Sequence, residues 1–314
     1  MEPDTGSSDR TTNQFATRWT LNTYTLVPGD FKNGMVTSLT TSWKVVRPST
    51  TPSKDEMDSL LRERVDLHAQ ISDAVQIQRK LSGPRVLHCG DLQFAREVFA
   101  ARYLSGDFAT FSQDVSSIGE RRVLAVLGDI AGKGVAAGMW FTHLAGLLQS
   151  CGRPDFNPST IATEINRHLC YLQPVAPFVT ALIAQVDCDR GVLTYCNAGH
   201  FPPILFRHDG DVQLLEAGGP LLGALKGAEF QSGELTLEPG DTVVVYSDGV
   251  VECRNPEGEE FGLDRLIAAL PRAKQQSAQG TLMMLLAIVQ EFANGYPMSD
   301  DMSLTLIQRD THFE

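Results

Sequence analysis

The stretch that decides the fold reads Val123-Leu124-Ala125-Val126-Leu127-Gly128-Asp129-Ile130-Ala131-Gly132-Lys133-Gly134-Val135. Five apolar residues closed by glycine have the length of a strand, and from Val135 to Gln149 the apolar positions recur at helical spacing. An aspartate at the end of a strand, with glycine letting the backbone come close, is a common way to build an oxygen-ligand site for Mg²⁺ or Mn²⁺. The glycine string lacks the Gly-x-x-x-x-Gly-Lys-Ser/Thr spacing of a nucleotide loop. Lys133 inside it, where the helix opens, reads either as an attractor of phosphate or as a solvated charge.

Outward from this stretch, short apolar runs at 179–186, 192–196, 204–206, 242–246 and 302–307 read as further strands, several bounded by Gly, Asp or Pro. Residues 159–172, 276–292 and a shorter segment near 263–270 read as helices. The elements are grouped rather than strictly alternating, which favours an α+β architecture over a parallel doubly wound sheet.

Residues 1–17 are polar and have the composition of a frayed terminus. Between residues 18 and 48, Trp19, Leu21, Tyr24, Leu26, Val36, Leu39, Trp43 and Val45 alternate in part, with a break at Pro28-Gly29-Asp30, predicting a hairpin or small strand unit. From Ser53 as N-cap, Met57, Leu61, Val65, His68, Ile71, Val75 and Leu81 recur every three to four residues until Ser82-Gly83-Pro84, predicting a helix of about seven turns. Its apolar stripe is either part of a core or the seam of a regulatory, self-associating or partner-binding helix, whose charged face carries Arg62, Glu63, Arg64 and Asp66.

Of the 314 residues 42% are hydrophobic, ample for a packed core. An excess of 38 acidic over 26 basic residues gives a net charge of -12, which repels nucleic acid and anionic membrane surfaces. The start Met1-Glu2-Pro3-Asp4 is unlike a signal peptide and no segment is apolar enough to span a bilayer, so a cytoplasmic protein is expected. The six cysteines contain no C-x-x-C pair, which speaks against a zinc cage or a disulfide framework. Cys188 and Cys196 are candidates to face each other across a hairpin, against the commoner state of buried free thiols.

Three more aspartates stand at element ends: Asp107 in Ser105-Gly106-Asp107-Phe108, Asp248 in Tyr246-Ser247-Asp248-Gly249, and Asp300 in Ser299-Asp300-Asp301-Met302. Taken singly, Asp248-Gly249 is also a hairpin signal and Asp300 or Asp301 could simply open a turn. Taken in order, with Ala74-Val75-Gln76-Ile77-Gln78-Arg79, Asn197-Ala198-Gly199-His200-Phe201-Pro202-Pro203, Gly218-Gly219-Pro220-Leu221-Leu222-Gly223 and Pro239-Gly240-Asp241, they carry a resemblance. From about residue 66 to 309 the chain resembles the PPM-type metal-dependent Ser/Thr protein phosphatases, in the bacterial branch of RsbU and stage II sporulation protein E.

The resemblance implies a central antiparallel β-sandwich flanked by helices in αββα layers, and the helix read from the spacing of residues 57–81 precedes it. With the N-terminal patterns read above, the expected layout is a polar tail with a possible small strand unit (1–53), a linker or regulatory helix (54–82) and a PPM-type phosphatase domain (83–312). The resemblance also implies hydrolysis of phosphoserine or phosphothreonine with two divalent cations, Mn²⁺ or Mg²⁺. Asp129 resembles the ligand bridging both, the carbonyl of Ile130 a backbone ligand, Asp248 and Asp300 ligands of one metal, and Asp107 the acidic residue serving the other. The implied substrate class is a regulatory phosphoprotein such as an anti-sigma-factor antagonist.

Two departures bear on the site. Ala131 stands where eukaryotic relatives carry a histidine, and Ser105-Gly106-Asp107-Phe108-Ala109-Thr110 replaces the Gly-Gly-Asp-Phe-Tyr-Asp common in the bacterial branch. His200 is the histidine to weigh as a proton donor, against a role in holding a turn. The competing functions are a non-catalytic partner-binding module and a hydrolase of small phosphate esters.

Overall fold

A computed structural model of the chain describes residues 31–32, 35–36, 53–115, 119–153 and 156–311. The chain divides into two compact units, Met1–Asp66 and Leu67–Glu314. In the first, strands β1 (Phe31–Lys32) and β2 (Met35–Val36) pair antiparallel. The expectations for 1–17 and for the rest of 18–48 lie outside the described residues. Helix α1 (Lys54–Leu81) begins with a capping box: the Glu56 N–H donates to Ser53 Oγ at 3.2 Å and the Ser53 N–H to Glu56 Oε2 at 2.9 Å. No residue of α1 is buried. Residues 53–66 are exposed; within the second unit Ile71, Ala74, Val75, Gln78 and Leu81 are half-buried along one face.

The second unit is built on two sheets. One contains β3 (Val86–Cys89), β4 (Leu92–Phe99), β9 (Ile204–Phe206), β10 (Val212–Leu214), β13 (Thr242–Tyr246) and β14 (Met302–Arg309), in the order β10-β9-β13-β14-β4-β3. The other contains β5 (Asp107–Val115), β6 (Arg121–Ile130), β7 (Val179–Asp187), β8 (Val192–Ala198) and β11 (Gly218–Gly219), in the order β11-β8-β7-β6-β5, with β12 (Gly233–Thr236) also on β8. Every pairing is antiparallel except β11 with β8.

The apolar runs are continuous because these strands are covered on both faces. In β13, Val243 and Val245 point between the sheets while Val244 and Tyr246 point outward beneath helices α5 (Gly262–Ala273) and α6 (Ala278–Ala293). In β6, Val123, Ala125 and Leu127 point inward, and Leu124 and Val126 meet α2 (Val135–Cys151) and α3 (Pro158–Tyr171). Period-two alternation thus serves two cores, giving four layers. The same alternation separates the two cysteines weighed as a pair: Cys188 belongs to the core between the sheets and Cys196 to the core under α2 and α3, and all six thiols are free. The nearer neighbour of Cys188 is Cys89.

The central layer depends on aromatic contact across the sheets, where Phe94 of β4 meets Phe111 of β5 edge-on with ring centroids 5.7 Å apart. Phe94 is fully buried. We expect Phe94→Ala to lower unfolding free energy by about 3–5 kcal/mol in urea titration; a loss below about 1 kcal/mol would show that the layer closes without it.

Candidate metal centre

Antiparallel pairing gathers the four aspartates at one end of the sandwich. Asp107 opens β5 with its Cα opposite that of Asp129, near the end of β6. In the other sheet Asp248 follows β13 and opens the short helix α4 (Asp248–Val251), so the hairpin alternative for Asp248-Gly249 is not what forms. Asp300 precedes β14, the antiparallel partner of β13. Two strands begin where two end.

Glycines decide how closely these backbones approach. A Cβ at Gly106 would lie 3.0 Å from the Ile130 carbonyl oxygen and 3.1 Å from Asp129 Oδ1. At Gly128 it would stand 2.4 Å from the Thr180 carbonyl oxygen, and at Gly249 1.9 Å from that of Asp301. Each glycine adjoins one of the aspartates, so larger residues there would force the acidic segments apart.

Asp301 is the residue the sequence undervalued. Its buried carboxylate accepts the Ala101 N–H at 2.7 Å on Oδ1, and on Oδ2 the Ser105 hydroxyl at 2.8 Å and the Gly106 N–H at 2.7 Å. It ties the start of β14 to the segment leading into Asp107, across the two sheets. Ser247 adds a stitch by accepting the Ser303 N–H at 2.9 Å. A buried acid beside an equally acidic neighbour gives no local signal separating ligand from strut; the partners are about 200 residues away.

The carboxylates disturb one another. Burial pushes Asp107 up to about 8; Ser247 and Ser303 favour its charged form, while Asp129 and Asp301 oppose it. Its Oδ2 is buried without a partner at hydrogen-bond geometry. Asp129 is pushed up to about 6, by burial first and then by Asp248, Asp300 and Asp301. Asp248 is raised by burial, against the Gly249 N–H that its Oδ1 accepts at 2.7 Å. Glu252, also raised by burial and then by Asp248, is a further carboxylate that the sequence reading passed over.

This donor set fits a hard divalent cation. It offers carboxylate oxygens, one of them buried and unpartnered, whose mutual repulsion a cation would relieve. A stand-in is present: the Lys133 ammonium lies 2.8 Å from Asp300 Oδ2. Among the described residues no three acidic, histidine or cysteine side chains converge closely enough to hold an ion as they stand. His200 serves as a strut. Its N–H donates to Asn197 Oδ1 at 2.7 Å, and its carbonyl accepts from Asn197 Nδ2 at 2.9 Å. Burial drives its pKa down to about 4, so the ring is neutral near pH 7 and carries no imidazolium proton to give.

The same layering occurs in the SiaA-PP2C domain of Pseudomonas aeruginosa, with a TM-score of 0.66 at 18% identity over 79% of this chain and 99% of that one. The fold is therefore that of PP2C-type phosphatases. The chain belongs to the Stage II sporulation protein E (SpoIIE) family, whose model matches residues 119–310. It is 27% identical to phosphoserine phosphatase RsbU of Bacillus subtilis, over 78% of this chain and 71% of RsbU. It is 31% identical to phosphoserine phosphatase RsbP of the same organism, over 49% of this chain but only 38% of RsbP.

Raised carboxylate pKa values mean that the folded protein holds protons more tightly than the unfolded chain. This contribution to stability is complete below about pH 4 and is lost as pH rises through about 6 and about 8. In EDTA the melting temperature should fall between about pH 5 and about pH 8, and Asp107→Asn should flatten the fall and melt higher than wild type at the upper end; parallel profiles would show that Asp107 is not held protonated. Asp301→Ala should cost at least about 3 kcal/mol in chemical denaturation, because two buried donors and one half-buried donor lose their carboxylate acceptor; a loss within about 0.5 kcal/mol would remove its role as a strut.

Proposed function

We propose that the protein is a metal-dependent phosphoprotein phosphatase acting on phosphoserine or phosphothreonine. The observation that carries this is the crowding of Asp107, Asp129, Asp248 and Asp300 at one end of the sandwich, with a buried carboxylate oxygen of Asp107 unpartnered and the pKa of Asp129 raised by burial and then by its acidic neighbours. The residues to hold two cations, Mn²⁺ or Mg²⁺, are Asp107, Asp129, the carbonyl of Ile130, Asp248 and Asp300. Asp129, whose charge is felt at Asp107 and which itself feels Asp248 and Asp300, suits a shared ligand. When bound there, two such cations would supply neutralisation of phosphoryl charge and a lowering of the pKa of bound water towards about 7.

The chain's own residues hold this machinery in place. Asp301 fixes the Ser105–Gly106 backbone beside Asp107, and the glycines admit the acidic segments to one another. Lys133, paired to Asp300, becomes available to an incoming phosphate if a cation takes that carboxylate. The substrate we assign is a small regulatory phosphoprotein of the anti-sigma-factor-antagonist class, in the cytoplasm; its phosphoserine is in keeping with the names of the phosphoserine phosphatases RsbU and RsbP. Among the described residues no helix is long and apolar enough to cross a membrane.

The proposed layout is an N-terminal segment (1–53), a regulatory helix (54–82) and the catalytic domain (83–312). A specific contact supports regulation through the helix: Gln78 Nε2 of α1 donates to the Ser105 carbonyl at 3.0 Å, two residues before Asp107. A regulatory partner or a second copy would engage its exposed turns.

Phosphate release from a phosphoserine peptide should require Mn²⁺ or Mg²⁺, stop in EDTA, and fall at least about 100-fold in Asp129→Asn and Asp248→Asn with circular dichroism unchanged. Release that persists in EDTA would overturn the metal mechanism. Absence of release under every metal would instead favour a non-catalytic partner-binding module.

A further inference from the structure

Two phenylalanines are held in solvent beside the carboxylate cluster by residues that are themselves fixed. Phe178 is 47% exposed and Phe201 39%, whereas their neighbours Val179 and His200 are buried. The Phe178 carbonyl accepts the Ala131 N–H at 2.9 Å, two residues past Asp129. Val179 exchanges backbone hydrogen bonds with Leu222 at 3.1 and 2.8 Å. The Phe201 ring lies 5.8 Å from that of Tyr246, two residues before Asp248.

The two supports are joined beneath the surface. Thr180 is the register partner of Asp129, and its Oγ1 lies 3.0 Å from Nδ1 of His200. The His200 ring in turn meets Phe201 edge-on at 6.4 Å. This arc skirts the Asp129 and Asp248 side of the cluster, and along it Phe178 and Phe201 present their rings to water.

Single exposed rings are ordinary. A pair held by a buried scaffold at the edge of a reacting centre has an evident occupant: the chain on either side of a phosphoserine must cross the mouth to deliver its phosphate to the aspartates. The net charge of -12 and the acidic cluster disfavour acidic residues there, whereas an apolar side chain is desolvated against the rings. We propose that Phe178 and Phe201 form a docking rim that selects substrate proteins with an apolar side chain next to the phosphoserine. This rests on the phosphatase reading above and gives that site its sequence preference.

The test uses the full chain with Mn²⁺ and three matched phosphoserine peptides, flanked by leucine, aspartate or glycine. Wild type should favour the leucine peptide. Phe178→Ser and Phe201→Ala should each lower kcat/KM for it about tenfold while leaving the glycine peptide within about twofold. Phe178→Ser, whose ring is the more exposed, carries the test alone if loss of the Tyr246 contact unfolds Phe201→Ala. Equal losses on the leucine and glycine peptides, or no loss on either, would overturn the rim with phosphatase activity intact. Failure of wild type to release phosphate from any peptide would overturn the phosphatase reading and the rim with it.

Discussion

Like charges crowded in a partly buried place are the constraint on which the rest of this structure depends. Asp107 and Asp129 face each other on neighbouring strands, and Asp248 and Asp300 come from the opposite sheet. Nothing in their mutual electrostatics favours that gathering without a cation; at reduced dielectric it pushes the ends of the sandwich apart. What resists is backbone hydrogen bonding along β5, β6, β13 and β14, together with the apolar layer between the sheets. The fold supplies the free energy, and the site stores part of it as raised pKa values.

The neighbouring residues take their meaning from that arrangement. Asp301 turns one carboxylate away from the cluster and spends it on three donors of the segment that joins β4 to β5, converting a charge into a strut. Lys133 neutralises Asp300 at a half-exposed position, where the pair contributes little to stability but offsets the local charge. His200 is kept neutral by burial and braces the strand beside Asp129 through Thr180. Around this polar floor the exposed rings of Phe178 and Phe201 provide the apolar contact that the aspartates cannot.

Much of the fold was legible because both faces of the central strands are covered. The runs at 123–127, 179–186, 192–196, 204–206, 242–246 and 302–307 are predominantly apolar, and each falls within a strand. The four helices after residue 130 read from their periodicity also form, with ends shifted by a few residues. Strands β4 and β5 escaped notice because Arg96, Glu97, Ser112, Gln113 and Asp114 interrupt their apolar pattern. Arg96 is buried yet satisfied, with Nε donating to the Pro84 carbonyl at 2.9 Å. Such a partner is invisible to periodicity.

The sequence by itself determined where the most apolar strands and the longer helices form, that the chain is acidic, and which aspartates adjoin glycine at the ends of apolar runs. These are local consequences of side-chain period and backbone freedom. Tertiary structure decided that Asp107 lies opposite Asp129, that Asp301 and Asp300 part company into strut and cluster, and that Cys188 and Cys196 belong to different cores. Those outcomes depend on strand order, register and sheet face, which arise from contacts between residues far apart in the chain and leave no local imprint on the residues that make them.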